Sequence, residues 1–104
     1  MLEVVVSLAV ALASLGPVDD AIERARVEAS AGDIEAAIKT VRGAREQHDD
    51  PDLLYVEAQL QRISNNCAAA VPLYEAFLAT GPPEEDRAEV DRNLSGCREE
   101  LGPT

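Results

Sequence analysis

The sequence predicts an all-α protein built from antiparallel helix-turn-helix pairs, and three observations carry that prediction. Apolar residues recur at i, i+3, i+4 spacing in five successive stretches. Short turn signals made of Gly, Asn, Asp and Pro separate them. Hydrophobic residues, many of them alanine, make up 46% of the chain against 3% aromatic, a composition suited to closely packed helices and too apolar for a disordered acidic tail. At 104 residues the chain is the size of one small domain.

The first helix is expected over Val18 to Ala31, with Asp19 and Asp20 at its positive dipole end and a stripe of Ile22, Ala25 and Ala29. Gly32-Asp33 ends it. The second, Ile34 to Gln47, carries Ile34, Ala37, Ile38, Val41 and Ala44 on one face, and His48-Asp49-Asp50-Pro51 breaks the chain again. The third, Asp52 to Ser64, is expected to bury Leu53, Val56, Leu60 and Ile63. Asn65-Asn66 turns the chain, and Asn66 is placed to cap the fourth helix. That helix shows the clearest stripe, Cys67, Ala70, Val71, Tyr74, Phe77 and Leu78, although Pro72 should cost it a hydrogen bond or bend its axis. Gly81-Pro82-Pro83 stops it. The fifth, Glu84 to Leu101, opens on three acids and is expected to bury Val90, Leu94, Cys97 and Leu101.

Residues 1–15 differ from the rest. Val4 to Leu15 is uncharged, too short to span a bilayer as a helix but suited to the core of a secretory signal, with a small-x-small pattern at Ala11, Leu12 and Ala13. Glu3 stands where such signals carry a basic residue. Export to the periplasm or envelope of a bacterium is the favoured reading; a retained first helix in a cytoplasmic protein is the alternative.

Nine Lys and Arg against twenty Asp and Glu give a net charge of −11. That field repels phosphate backbones and anionic headgroups, and the scarcity of aromatics removes the stacking platforms that bases use. Nucleic acid is therefore excluded as a partner, and contact with a membrane is expected only through residues 1–15 if they are not removed.

A repeat emerges at an offset of 33 residues. Gly32-Asp33 overlies Asn65-Asn66, Ala25 overlies Ala58, Ala37 overlies Ala70, Val41 overlies Tyr74, and Ala44 overlies Phe77. On these residues the chain resembles the tetratricopeptide repeat family, a 34-residue helix-turn-helix unit whose second helix carries an A-x3-F pattern before a closing Pro. Ala70, Tyr74, Phe77 and Pro82 match in the second unit, and Gly32, Asp33, Ala37, Val41 and Ala44 in the first. The early aromatic of the first helix is missing unless Leu54 or Tyr55 substitutes, Gln61 takes the place of a usual tyrosine, and the first unit closes late, at Pro51. The resemblance implies units at 18–50 and 51–83 and a covering helix at 84–101, together a fragment of a right-handed α-solenoid. A generic alanine-rich bundle is the alternative. Two units fall short of the three that such stacking usually needs.

Two cysteines offer a way to hold so short an array. Cys67 lies fifteen residues before Pro82 and Cys97 fifteen after it, so a hairpin turning there sets both at one axial level on facing stripes. A Cys67–Cys97 disulfide is the expectation; a pair of buried reduced thiols is the other reading.

The residues of an enzyme are missing. His48 lies in an acidic turn with no nucleophile in view, and there is no C-x-x-C, H-E-x-x-H, phosphate-cradling glycine loop or G-x-S-x-G. The groups Asp49-Asp50-Asp52 and Glu84-Glu85-Asp86 lack the spacing of a calcium loop and sit where helix starts favour acids. No cofactor, metal or catalytic residue is expected. Tetratricopeptide arrays hold a peptide or partner helix on the concave surface of their first helices, which by position implies a lining of Asp19, Ile22 and Arg26 from the first unit and Asp52, Tyr55, Gln59 and Arg62 from the second. The Lys/Asn set with which the family grips a terminal carboxylate is not reproduced. A protein-binding module is thus the expected function. A self-associating structural component of the envelope is the second reading, and a thiol redox protein the third.

Overall fold

The computed structural model describes residues 16–102, and within them the chain forms five helices and no strand. They are α1 (Pro17–Ser30), α2 (Ile34–Gln47), α3 (Pro51–Ile63), α4 (Cys67–Ala79) and α5 (Glu84–Leu101). The expected bounds of the second and fifth helices are met to the residue. The first and third begin one residue earlier than expected because Pro17 and Pro51 occupy first-turn positions, where a missing N–H costs nothing. The segment 1–15, expected to be a secretory signal, lies outside the described residues.

Local chemistry explains where each helix starts and stops. The side chains of Asp33, Asp50 and Asn66 cap α2, α3 and α4, accepting from the backbone N–H of Ala36 (3.1 Å), Asp52 (2.9 Å) and Ala69 (3.2 Å). The turn after α1 and the turn after α3 are one motif. Gly32 and Asn65 both take positive φ, 88° and 62°, and the following N–H reaches back five residues, Asp33 to Glu28 (2.9 Å) and Asn66 to Gln61 (2.8 Å). Glycine and asparagine are the residues that tolerate this conformation, so the chain turns at matching places 33 residues apart. Pro72 is exposed and α4 runs through it unbroken; the carbonyl whose helical bond it removes belongs to Ala68, which is also at the surface.

Cross-links over each turn make successive helices antiparallel. Thr40 Oγ1 donates to Glu28 (2.6 Å) between α1 and α2, Arg42 Nε to Glu57 (3.2 Å) between α2 and α3, and Arg62 Nε to the Tyr74 hydroxyl (3.1 Å) between α3 and α4. The disulfide joins α4 to α5. Hence α1, α3 and α5 run parallel to one another, and α1 also touches α3 directly.

Two apolar clusters share α3. One gathers Ala25, Ala37, Val41, Leu53 and Leu60; the other Ala58, Tyr74, Phe77, Val90 and Leu94 with the two cysteines. Three of the pairs at offset 33, Ala25 with Ala58, Ala37 with Ala70 and Val41 with Tyr74, are buried at both members, whereas Ala44 is half-buried where Phe77 is buried. Alanine at four of these points leaves only a methyl group between backbones, which lets the helices approach closely. Cys67 and Cys97 form the expected bridge, with Cα atoms 5.1 Å apart.

Two residues expected in the core are exposed. Ile63 is 56% and Leu101 52% accessible, because each is the last residue of its helix and extends past its partner: α4 starts at Cys67, level with Cys97, so Leu101 projects a turn beyond it. Conversely Glu57, 2% exposed, is buried between Leu53 and Leu60 and held by Arg42 and by Arg45 Nη1. Gln61, in the place where the resemblance implies a tyrosine, is buried as well.

Candidate functional site

The three parallel helices α1, α3 and α5 carry their outward residues in register. Asp19, Asp52 and Asp86 follow one another at offsets of 33 and 34, one turn ahead of Ile22, Tyr55 and Glu89, and then of Arg26, Gln59 and Asn93. Asp52 reports the alignment electrostatically. Partial burial pushes its carboxyl above the ordinary range, and the negative charges of Asp50, Asp86 and Asp19 push it further.

Between α1 and α3 lies an open groove of about 460 Å³. Of the lining expected from the sequence, Ile22, Arg26, Tyr55 and Gln59 meet in it, with Asp19 and Asp52 one turn beyond. Its floor is apolar, and Ala29, Ile34, Val56 and Ile63, which the periodicity places on buried stripes, belong to it. The exposure of Ile63 is therefore exposure into this groove. Arg62 is placed elsewhere. It faces a second, smaller groove of about 290 Å³ between α3 and α5, beside Asn93 and the disulfide.

A polar network forms the ridge between the two grooves. Arg62 Nε donates to the Tyr74 hydroxyl (3.1 Å), that hydroxyl donates to Gln59 Oε1, and Asn93 Nδ2 donates to the same oxygen (3.2 Å). Gln59 Nε2 in turn donates to the Tyr55 hydroxyl (3.3 Å), and the Tyr55 ring packs on Phe77 with centroids 5.3 Å apart. Gln59 is thus a fixed part of the surface, oriented from α4 and α5, and Arg62 is a brace. Sequence reasoning left out Asp86, Glu89 and Asn93. The offset of 33 carried one step further falls one residue short, on Glu85, Ala88 and Arg92, and only the packing of α5 brings Asp86, Glu89 and Asn93 into line.

The tyrosines offer a direct check on this packing. Burial, then the Glu89 carboxylate beside it, pushes the Tyr55 phenol up to about 12, and burial raises Tyr74 against the opposing pull of Arg62. A group whose folded pKa is raised favours the native state fully below its unfolded value, and that contribution is lost as pH climbs through the folded one. Tyrosinate absorbance is therefore expected to stay low at the ordinary pKa near 10, and stability to decline between about pH 10 and 12. Glu89→Gln should move the Tyr55 midpoint down; an unchanged ultraviolet titration would place Glu89 away from the ring.

Among the described residues no helix is long and apolar enough to cross a membrane, and no three His, Cys, Asp or Glu side chains are placed to hold a metal ion. No protein-family model, curated protein or solved structure matches the chain.

Proposed function

We propose that the chain is a short tetratricopeptide-like array, units 18–50 and 51–83 with the helix 84–101 covering the second, which binds a peptide or protein segment across the face formed by α1, α3 and α5. The observation that carries this reading is the in-register repetition of that face at offsets of 33 and 34 around an open apolar groove. Nothing in the chain fills the groove among the described residues, and aliphatic lining left open to water favours a ligand that covers it.

The outer sides of α1 and α3 differ in chemistry. Asp20 and Glu23 of α1 stand at the positions of Leu53 and Val56 of α3, so the outer side of α1 is polar where α3 is apolar. Val27, 61% exposed at the position where Leu60 is buried, is the departure and favours self-association as the second reading. A disulfide is kept in oxidising compartments, which supports an exported protein and a partner in the bacterial envelope.

A photo-crosslinking amino acid at position 63, inside the groove, and one at Glu46, exposed on α2, test the reading in native envelope fractions. Discrete adducts from position 63 and none from position 46 are expected. Equal yields from both, or none from 63, would overturn the binding face, and adducts with the mass of two copies would make self-association the function.

A further inference from the structure

We propose that the α1–α3 groove takes a peptide segment in which aliphatic side chains neighbour Lys or Arg, the apolar part lying on Ile22, Val56 and Ile63 and the cations lying along the carboxylate row of Asp19, Asp52 and Asp86. This rests on the binding reading above and names the partner chemistry within it.

The groove is the site, and the charges at its end select what enters. Its floor is aliphatic over most of its length, which suits side chains of the Leu or Ile kind. One turn toward the N-termini of α1 and α3 the surface becomes anionic, with the third carboxylate of the row supplied by α5. Among the described residues no Lys or Arg lies within 4.0 Å of Asp19, Asp52 or Asp86. Arg26 of α1 pairs with Glu23 (3.8 Å) and Arg62 of α3 donates to Tyr74. The charges of Asp86 and Asp19 act unfavourably on Asp52, and no ion pair within the row offsets them. Helix N-termini offset part of that cost, and an incoming cation would offset more. A metal ion does not meet the geometry, as the row is too widely spaced for three ligands to converge. An anionic segment is repelled both by the row and by the net charge of −11, which steers cationic ligands toward the protein.

Two fluorescein-labelled peptides serve as probes, one alternating pairs of Leu with Lys and its twin with Glu for each Lys, titrated by anisotropy into the whole protein. The Lys peptide is expected to bind and the Glu twin not to. Asp19→Asn, Asp52→Asn and Asp86→Asn together should weaken binding about tenfold, whereas Glu35→Gln, Glu46→Gln and Glu99→Gln together, which remove the same charge from other surfaces, should change it by less than about threefold. Asp52→Lys provides a second variant and should favour the Glu twin. Ile63→Lys removes apolar floor at an exposed position and should also weaken the Lys peptide. Equal losses in the two triple variants would reduce the effect to net charge and overturn the proposal. Binding of both peptides, lost in Ile63→Lys but indifferent to the Asp variants, would overturn the charge selection and leave the groove as a binding site. Binding of neither peptide, or binding indifferent to Ile63→Lys, would overturn both.

Discussion

Replacing Cys67 and Cys97 together by alanine is expected to cost about 3 to 4 kcal/mol and to lower the melting temperature by about 15 to 25 °C. The bridge closes a loop with a sequence separation of 30, and most of the effect comes from restricting the unfolded chain. Its weight is clear from what else holds α5. Apart from Cys97, that helix buries only Val90 and Leu94, worth about 3 to 6 kcal/mol for two side chains of this kind. The covalent link is therefore comparable with the whole apolar contribution of the covering helix, in a domain too small to have stability to spare. Urea denaturation of the oxidised protein and the double variant gives the difference directly. A loss below about 1 kcal/mol would mean that packing alone retains α5.

Arg42→Met with Arg45→Met is expected to be as damaging, by about 3 to 5 kcal/mol, because it leaves the Glu57 carboxylate buried with no cation. Glu57 is 2% exposed, whereas the two arginines reach it from α2 with much of their own length in water. The arrangement clasps the first hairpin to the second. Adding Glu57→Met to the pair should return the stability to within about 1 kcal/mol of the parent, since an apolar side chain suits the site between Leu53 and Leu60 once the charge is gone. Equilibrium unfolding of the three proteins checks it. If the double variant lost no more than a surface ion pair is worth, about 1 kcal/mol or less, Glu57 would have to be solvated.

How far each feature was legible in the sequence follows from the range of the interaction behind it. Caps and turns are local. Asp33 and Asn66 precede their helices by one residue and bond three residues on, so they are read directly, as are Gly32 and Asn65 where the backbone needs positive φ. The disulfide is nearly local, being fixed by equal distances on either side of Pro82 once the hairpin is accepted. The groove was half legible. The tetratricopeptide resemblance implied Ile22, Arg26, Tyr55 and Gln59, but periodicity alone made Ile63 a core residue, because a stripe tells which face is apolar and not whether anything covers its last turn. Arg62 went astray for a related reason: its partner, the Tyr74 hydroxyl, lies twelve residues away on another helix.

The sequence by itself determined five helices and the turns between them and led to the expectation of the cysteine bridge, all properties of neighbours along the chain or of one helical face. Only the tertiary structure decided that Glu57 is buried between two arginines, that Gln59 is fixed by Tyr74 and Asn93, and that the aliphatic groove between α1 and α3 stays open. Those outcomes depend on which helices stop short of covering which faces. Side chains far apart in the chain settle them when they meet, through desolvation and hydrogen bonding that no single segment contains.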